Sequence, residues 1–303
     1  MSTTRFPTEK LITLTGHNGP VNCVTYSSGT GQYILTGSSD RHIHLYNPHP
    51  TTTNPNASQL IQEYTAHGYE VLSLAVTPDN AKFASVGGDR LVFLWDVASG
   101  RTLRRWEGHF GRIPVSITSG SFDTTLRLWD CKSSSHKPIQ VLSEAKDSIS
   151  SLSIQDHEIV SGSVDGRIRT YDLRMGRVTT DVVGAPVTSV ALTKYGSGAL
   201  LVSTLDATVR LFDRGNGTLL QSFKGHVNGD FRIGSCLGMR DAFVVSGSED
   251  GVIYVWDILE GKVRHRLKAH EGKVCSAVAF NDARKEWCSA GTNGTVCVWG
   301  FRD

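Results

Sequence analysis

Seven times along the chain a short polar turn ends in Asp or Asn, and an aromatic residue follows six positions later. The pairs are Asp40–Tyr46, Asp89–Trp95, Asp123–Trp129, Asp165–Tyr171, Asp206–Phe212, Asp250–Trp256 and Asn293–Trp299. One fixed offset recurring in this way marks a chain made of copies of a single supersecondary unit, stacked so that neighbours cover each other's apolar faces. In five of the seven the aromatic is followed by Asp, at 96, 130, 172, 213 and 257. Upstream of most turns stands a His, usually as Gly-His: His17, His67, His109, His226 and His270. Four positions before the turn residue lies a small hydroxyl side chain (Thr36, Ser85, Ser119, Ser161, Ser246, Ser289), with Val202 the exception.

Between these marks the sequence alternates apolar and polar residues or runs β-branched, as in VNCVTY, YILTGS and HIHLYN, and again in FVVSGS and VIYVWD. Such runs bounded by Gly, Asp and Ser turns read as strands, and no convincing amphipathic helix interrupts them. Four strands in repeats of 41 to 44 residues predict an all-β chain, a seven-bladed β-propeller spanning residues 1–303 as a single domain. The last blade stops after its third strand, VCVWGF, while the N-terminal KLITLTGH is a strand with no blade of its own. Pairing the two would close the ring and remove its free edges. These motifs resemble the WD40 repeat family over essentially the whole chain. The resemblance implies that His, hydroxyl, Asp and Trp form a buried network: the Asp accepts from His, His meets the hydroxyl, and the hydroxyl meets the Trp N–H. The sets expected to do so are His67, Ser85, Asp89 and Trp95; His109, Ser119, Asp123 and Trp129; and His226, Ser246, Asp250 and Trp256.

Two blades break the pattern. Tyr46 to His67 takes 21 residues where other blades take 14, and the excess is NPHPTTTNPNAS, a proline-rich loop between the third and fourth strands of blade 1. It reads as a tolerated surface insertion, with a partner contact as the alternative. In blade 3, His109 to Asp123 is only 14 residues against 22 to 24 in the other His-bearing blades. This predicts a truncated blade with little room for its innermost strand, through splicing, a gene-model error, or a genuine distortion around residues 110 to 118.

The same His, Ser and Asp sets would suit a hydrolase, but a nucleophilic site needs one strained, reachable serine with its own oxyanion hole. A set repeated around a ring argues for structure, so no catalytic residue is expected. No G-x-x-x-x-G-K-[ST], H-E-x-x-H or G-x-S-x-G occurs. Isolated residues such as His42, His44 and His157 read as strand or surface positions, and no metal or cofactor is expected. A formal charge of +2 suggests neither nucleic-acid nor membrane attraction. The six cysteines form no C-x-x-C pair and sit mostly in apolar runs, which reads as reduced thiols inside a cell.

Several stretches resemble the mitogen-activated protein kinase organizer family: HGYEVLSLAV, GGDRLVFLWDVASGRTLRRWEGH, DHEIVSGSVDGRIRTYDLRMG, LVSTLDATVRLFDRGNGTLLQSFKGH and SEDGVIYVWDILEG. The resemblance implies a scaffold that assembles kinase-cascade components in the cytoplasm and joins pre-mRNA splicing complexes, with splicing factors, in the nucleus. It implies a monomeric propeller within larger complexes. Because the His and Asp turns should open on the same, narrower face, the expected partner-binding anchors are Arg41, Tyr69, Arg90, Phe110, Arg112, Phe122 and Phe231; Arg and aromatic side chains dominate interface energetics. Two other readings remain. Tyr171-Asp172-Leu173-Arg174 resembles the element by which some WD proteins dock on a cullin-type ubiquitin ligase adaptor, as substrate receptors. A reader of modified peptide tails would need an acidic, aromatic-walled pocket, and here the aromatics come mixed with Arg.

Overall fold

The computed structural model describes residues 5–49, 59–107, 110–112, 116–130, 137–195 and 198–302. Every regular element among them is a strand, as the alternating and β-branched runs require. Strand β1 (Glu9–Leu14) is followed in blade 1 by β2 (Val21–Tyr26), β3 (Ile34–Ser38), β4 (His42–Tyr46) and β5 (Leu60–Thr65). Blade 2 holds β6 (Val71–Val76), β7 (Lys82–Gly87), β8 (Leu91–Asp96) and β9 (Thr102–Glu107). Blade 3 holds β10 (Phe110–Arg112), β11 (Ser116–Gly120), β12 (Leu126–Asp130) and β13 (Gln140–Leu142). Next come β14 (Ile149–Gln155), β15 (Glu158–Ser163), β16 (Arg167–Asp172) and β17 (Arg177–Val182) in blade 4. Blade 5 has β18 (Val187–Leu192), β19 (Ala199–Thr204), β20 (Thr208–Asp213) and β21 (Leu219–Lys224). Blade 6 has β22 (Ser235–Gly238), β23 (Phe243–Ser246), β24 (Val252–Asp257) and β25 (Val263–Lys268). The last sheet combines β26 (Cys275–Asn281), β27 (Glu286–Gly291) and β28 (Val296–Gly300) with β1 at its outer edge.

The seven-bladed ring expected from the repeat count does not form. Seven antiparallel four-stranded sheets form, but only six are full blades, with strands of four to seven residues. The sheet of blade 3 is rudimentary: β10 and β13 have three residues each, and β10 meets β11 through an irregular register, Phe110 opposite Gly120 and Arg112 opposite Ile117. The inner strand that this repeat was expected to lose is therefore present in shortened form. An unpaired β11 edge would leave a row of peptide groups without partners, so even a three-residue segment is drawn into the ladder.

Apolar residues lie on both faces of the inner sheets, and the cores lie between blades. Leu35, Ile43 and Tyr64 of blade 1 pack on Phe83, Phe93 and Trp95 of blade 2. Blade 3 is held to blade 2 by Ala84, Val92, Leu94 and Trp106 around Trp129, with the two indoles 6.4 Å apart. Between the last blade and the first, Leu14, Val296 and Val298 meet Val21, Ile34 and Tyr46.

The ends of the chain close the ring. Strand β1 pairs antiparallel with β28, from Glu9 opposite Gly300 to Leu14 opposite Val296. Just before it Phe6 is buried, its ring 5.2 Å from Phe243 and 5.7 Å from Trp287, and the Trp287 indole donates to the Pro7 carbonyl at 2.8 Å. The long loop does join β4 to β5; its first residues lean on the last blade, where His49 lies 3.0 Å from Glu286. Residues 50–58 of that loop, Pro50 and Pro55 included, lie outside the described residues. Because Phe6 bridges blades 6 and 7, Phe6→Ala is expected to cost about 3–5 kcal/mol, read as a lowered urea midpoint at unchanged slope.

Candidate functional site

The turn that ends each second strand is built by its Asp or Asn. The side-chain Oδ1 accepts the peptide N–H two residues on: Asp40 from His42 (3.0 Å), Asp89 from Leu91 (3.1 Å), Asp250 from Val252 (3.0 Å), and Asn293 from Thr295 (3.2 Å). This local bond is why the position is Asp or Asn throughout. It places the next residue in the left-handed region: Arg41 (φ 77°), Arg90 (60°), Thr124 (69°), Gly166 (73°), Ala207 (54°), Gly251 (76°) and Gly294 (80°). Glycine fits that conformation without cost; Arg and Thr do not.

The expected network forms completely in blade 2. His67 Nδ1 donates to Asp89 (3.0 Å), Ser85 bonds His67 Nε2 (2.7 Å), and the Trp95 indole donates to Ser85 (2.8 Å). Asp89 also accepts the Gly68 peptide N–H at 3.0 Å. Blade 7 repeats the arrangement with Asn293 in place of Asp, through His270, Ser289 and Trp299. Ser85 and Ser289 are wholly buried, so neither oxygen can reach a substrate. In these two blades the hydrolase arrangement fails on access.

Blade 6 departs from expectation. His226 is buried, yet neither ring nitrogen has a hydrogen-bond partner among the described residues. Asp250 accepts from the Tyr254 hydroxyl (3.2 Å), the Trp256 indole donates to the Lys224 carbonyl (3.0 Å), and Ser246 turns to the Gly247 carbonyl. The tyrosine four residues after the Asp competes for the carboxylate, and the four-part set is not assembled. In blade 3, His109 and the side chain of Ser119 lie outside the described residues; Asp123 pairs with Arg127 at 3.1 Å, and Trp129 is buried.

That Arg is the element sequence reasoning missed. Blades 4 and 5 have no Gly-His, and there an Arg four residues after the turn Asp takes its place: Arg169 on Asp165 at 2.7 Å and Arg210 on Asp206 at 2.5 Å. Arg169 is buried with its carboxylate. Burial works against the Asp206 charge, but its bonds from Arg210 and Thr204 outweigh that and bring its pKa down to about 2. The signal was the D-x-x-x-R spacing in DTTLR, DGRIR and DATVR.

Most of the expected partner-binding residues share one face, because the turn after every second strand and the link into every first strand lie at the same end of an antiparallel sheet. Arg41 and Arg90 are exposed there, with Phe122 (80% exposed), Tyr69 (65%) and Phe231 (49%). Phe110 and Arg112 sit on β10, and their side chains lie outside the described residues. Arg174 is on the opposite face, exposed, beside a cleft of about 340 Å³ walled by Arg214 and its ion-pair partner Glu158.

The WD domain, G-beta repeat family matches residues 8–47, 58–96, 136–172, 217–257 and 261–300, more than half of the chain. The chain belongs to the WD-repeat family. The rat protein WD repeat domain-containing protein 83 is 44% identical over 97% of this chain and 92% of its own length, and its human counterpart 43% over the same shares. A Dictyostelium discoideum homolog of that protein is 31% identical over 94% of this chain and 96% of its own. The unmatched segments contain the turns of blades 3 and 5, the first three strands of the rudimentary sheet, and the first three strands of the blade with Val202 and Phe212 at the hydroxyl and aromatic positions. Sequence departures from the WD pattern and structural departures from its network thus coincide in part.

Asp89→Ala removes the acceptor of both His67 and the Gly68 peptide and is expected to cost about 1–3 kcal/mol. Asp250→Ala should cost less, since His226 does not lean on it; urea midpoints of the two variants check the order. Burial holds His226 and His270 at a pKa of about 4 against 6.5 in the unfolded chain. Stability is therefore complete above that unfolded value and declines as pH falls toward 4, where the unfolded state binds protons that the native state refuses. His226→Leu, which breaks no hydrogen bond, is expected to leave Tm at pH 7 nearly unchanged and to flatten its acid decline.

Proposed function

We propose that this WD-repeat protein is a non-catalytic scaffold that holds other proteins on the face where its turns open. The observation that carries this is the pair Arg41 and Arg90. Both occupy left-handed turn positions where three sister blades have glycine, and both point a long cationic side chain out of a rim that also exposes Phe122, Tyr69 and Phe231. A non-glycine residue kept in strained geometry is expected where its side chain has work that glycine cannot do. Arginine and large aromatics together are the composition of interface anchors.

Kinase-cascade components in the cytoplasm and splicing factors in the nucleus are the partners we assign to that rim. This finer assignment rests on the resemblance of blades 1 to 6 to the mitogen-activated protein kinase organizer family. A second reading, recognition by a cullin adaptor, is favoured only by the exposure of Arg174 on the opposite face.

Arg41→Gly and Arg90→Gly separate binding from folding. Each should raise stability by about 1 kcal/mol through relief of the left-handed strain, while the double variant with Phe122→Ala loses its partners in affinity purification with mass spectrometry. Undiminished capture of the same proteins by that triple variant would move the docking surface elsewhere. Enrichment of a cullin adaptor, abolished by Arg174→Ala, would favour the second reading.

A further inference from the structure

Two histidines that read in sequence as isolated strand residues meet a carboxylate in the fold. His42 and His44 alternate along β4 and so share a face, while Ile43 and Leu45 between and beyond them turn into the core shared with blade 2. Glu63 of β5 stands directly opposite His44 in the antiparallel register, on that same face. Glu63 Oε1 contacts His42 Nδ1 and lies 3.9 Å from His44 Nε2. One nitrogen from each imidazole and one carboxylate oxygen lie within 4.8 Å of one another.

The hydrogen bonds behind His44 settle which of its nitrogens faces the carboxylate with a lone pair. The Tyr46 hydroxyl donates to the Thr15 carbonyl at 3.1 Å, so its oxygen is free to accept, and His44 Nδ1 stands 2.8 Å from it. Nδ1 therefore carries the proton, and Nε2 is the bare nitrogen. A bare nitrogen and a carboxylate oxygen directed to one point repel unless a proton or a metal cation lies between them. A ligating His whose second nitrogen donates to a fixed acceptor is the usual outer-shell arrangement of a metal site. His44 is further clamped by His17, whose ring stacks on it at 3.9 Å and is itself tied to Asp40. Asp40 also fixes the start of the ligand strand by accepting the His42 peptide N–H.

We propose that His42, His44 and Glu63 bind a divalent transition-metal ion of the zinc class, bridging the third and fourth strands of blade 1. Two imidazoles and one carboxylate are the donor set that such ions take in preference to calcium or magnesium. His44 is buried (4% side-chain exposure), whereas His42 (41%) and Glu63 (43%) reach in from the surface and can close on the ion. A cleft of about 360 Å³ adjoins the three, reaching to Asn18 and Leu60, and leaves room for water or a partner's side chain in the remaining coordination position. The site lies one residue from Arg41, so an ion there would stiffen the edge of the proposed docking rim.

Isothermal titration of the chelator-treated full chain with Zn²⁺, and visible absorption after adding Co²⁺, test this directly. One saturable Zn²⁺ equivalent is expected, with a Co²⁺ spectrum of low-symmetry nitrogen and oxygen coordination. Glu63→Gln and His42→Ala alter half-exposed side chains and should leave the circular dichroism unchanged while weakening Zn²⁺ at least about 10-fold. His157→Ala, an exposed histidine on another blade, should change nothing. No saturable uptake by the wild type, or uptake indifferent to both substitutions, would reduce the cluster to a surface ion pair and overturn the proposal.

Discussion

Closure of the ring is the constraint on which the rest of this structure depends. Each sheet is apolar on both faces and is stable only with a neighbour on each side, so an open arc would leave two whole faces in water. The chain meets this by surrendering β1 to the last blade, where it lies against β28, and by anchoring the entry to that strand with Phe6 and the Trp287–Pro7 hydrogen bond. Blade 3 shows the same constraint from the other side. With too few residues for a full repeat, it still contributes four strands, two of them of three residues, and Trp129, because the apolar faces of blades 2 and 4 both need covering.

Within each blade the second constraint is the turn Asp or Asn. It organises its own turn through the peptide two residues on, and its side chain has further acceptor capacity to satisfy: a second carboxylate oxygen where it is Asp, the same Oδ1 in Asn293. The structure solves this in more than one way. A histidine arriving from the preceding link serves in blades 1, 2 and 7, an arginine from the same hairpin in blades 3, 4 and 5, and a tyrosine in blade 6. Each partner comes from a different direction but meets the same oxygen-bearing turn. Blade 6 shows what happens when two candidates compete, since Tyr254 takes the carboxylate and leaves His226 buried beside Trp256, their rings 5.4 Å apart.

The rim and the cluster of His42, His44 and Glu63 both derive from this turn. Its left-handed residue is forced outward, which in blades 1 and 2 exposes an arginine, and its Asp40 orients His17 and the start of β4 so that His44 is pinned facing Glu63. One local motif therefore sets fold register, the exposed arginines and the geometry of the proposed cation site.

The sequence by itself determined the strands, their grouping around seven Asp or Asn turns and the loan of the N-terminal strand, because each follows from spacing along the chain, while the burial of the Ser85 set was implied by the resemblance to the WD40 family. It read blade 3 as having little room for an inner strand, since counting residues does not show that three residues suffice to pair along β11. It assigned His226 to Asp250 because a motif does not reveal that Tyr254, on the strand that follows the turn, reaches the carboxylate first. Only the tertiary structure set His42 and His44 across from Glu63, since register between β4 and β5 joins residues 19 apart through a proline-rich loop of irregular length. Pairing within a turn is fixed by a few bonds and is legible in one dimension; pairing across strands depends on how neighbouring blades pack, and that is decided in three.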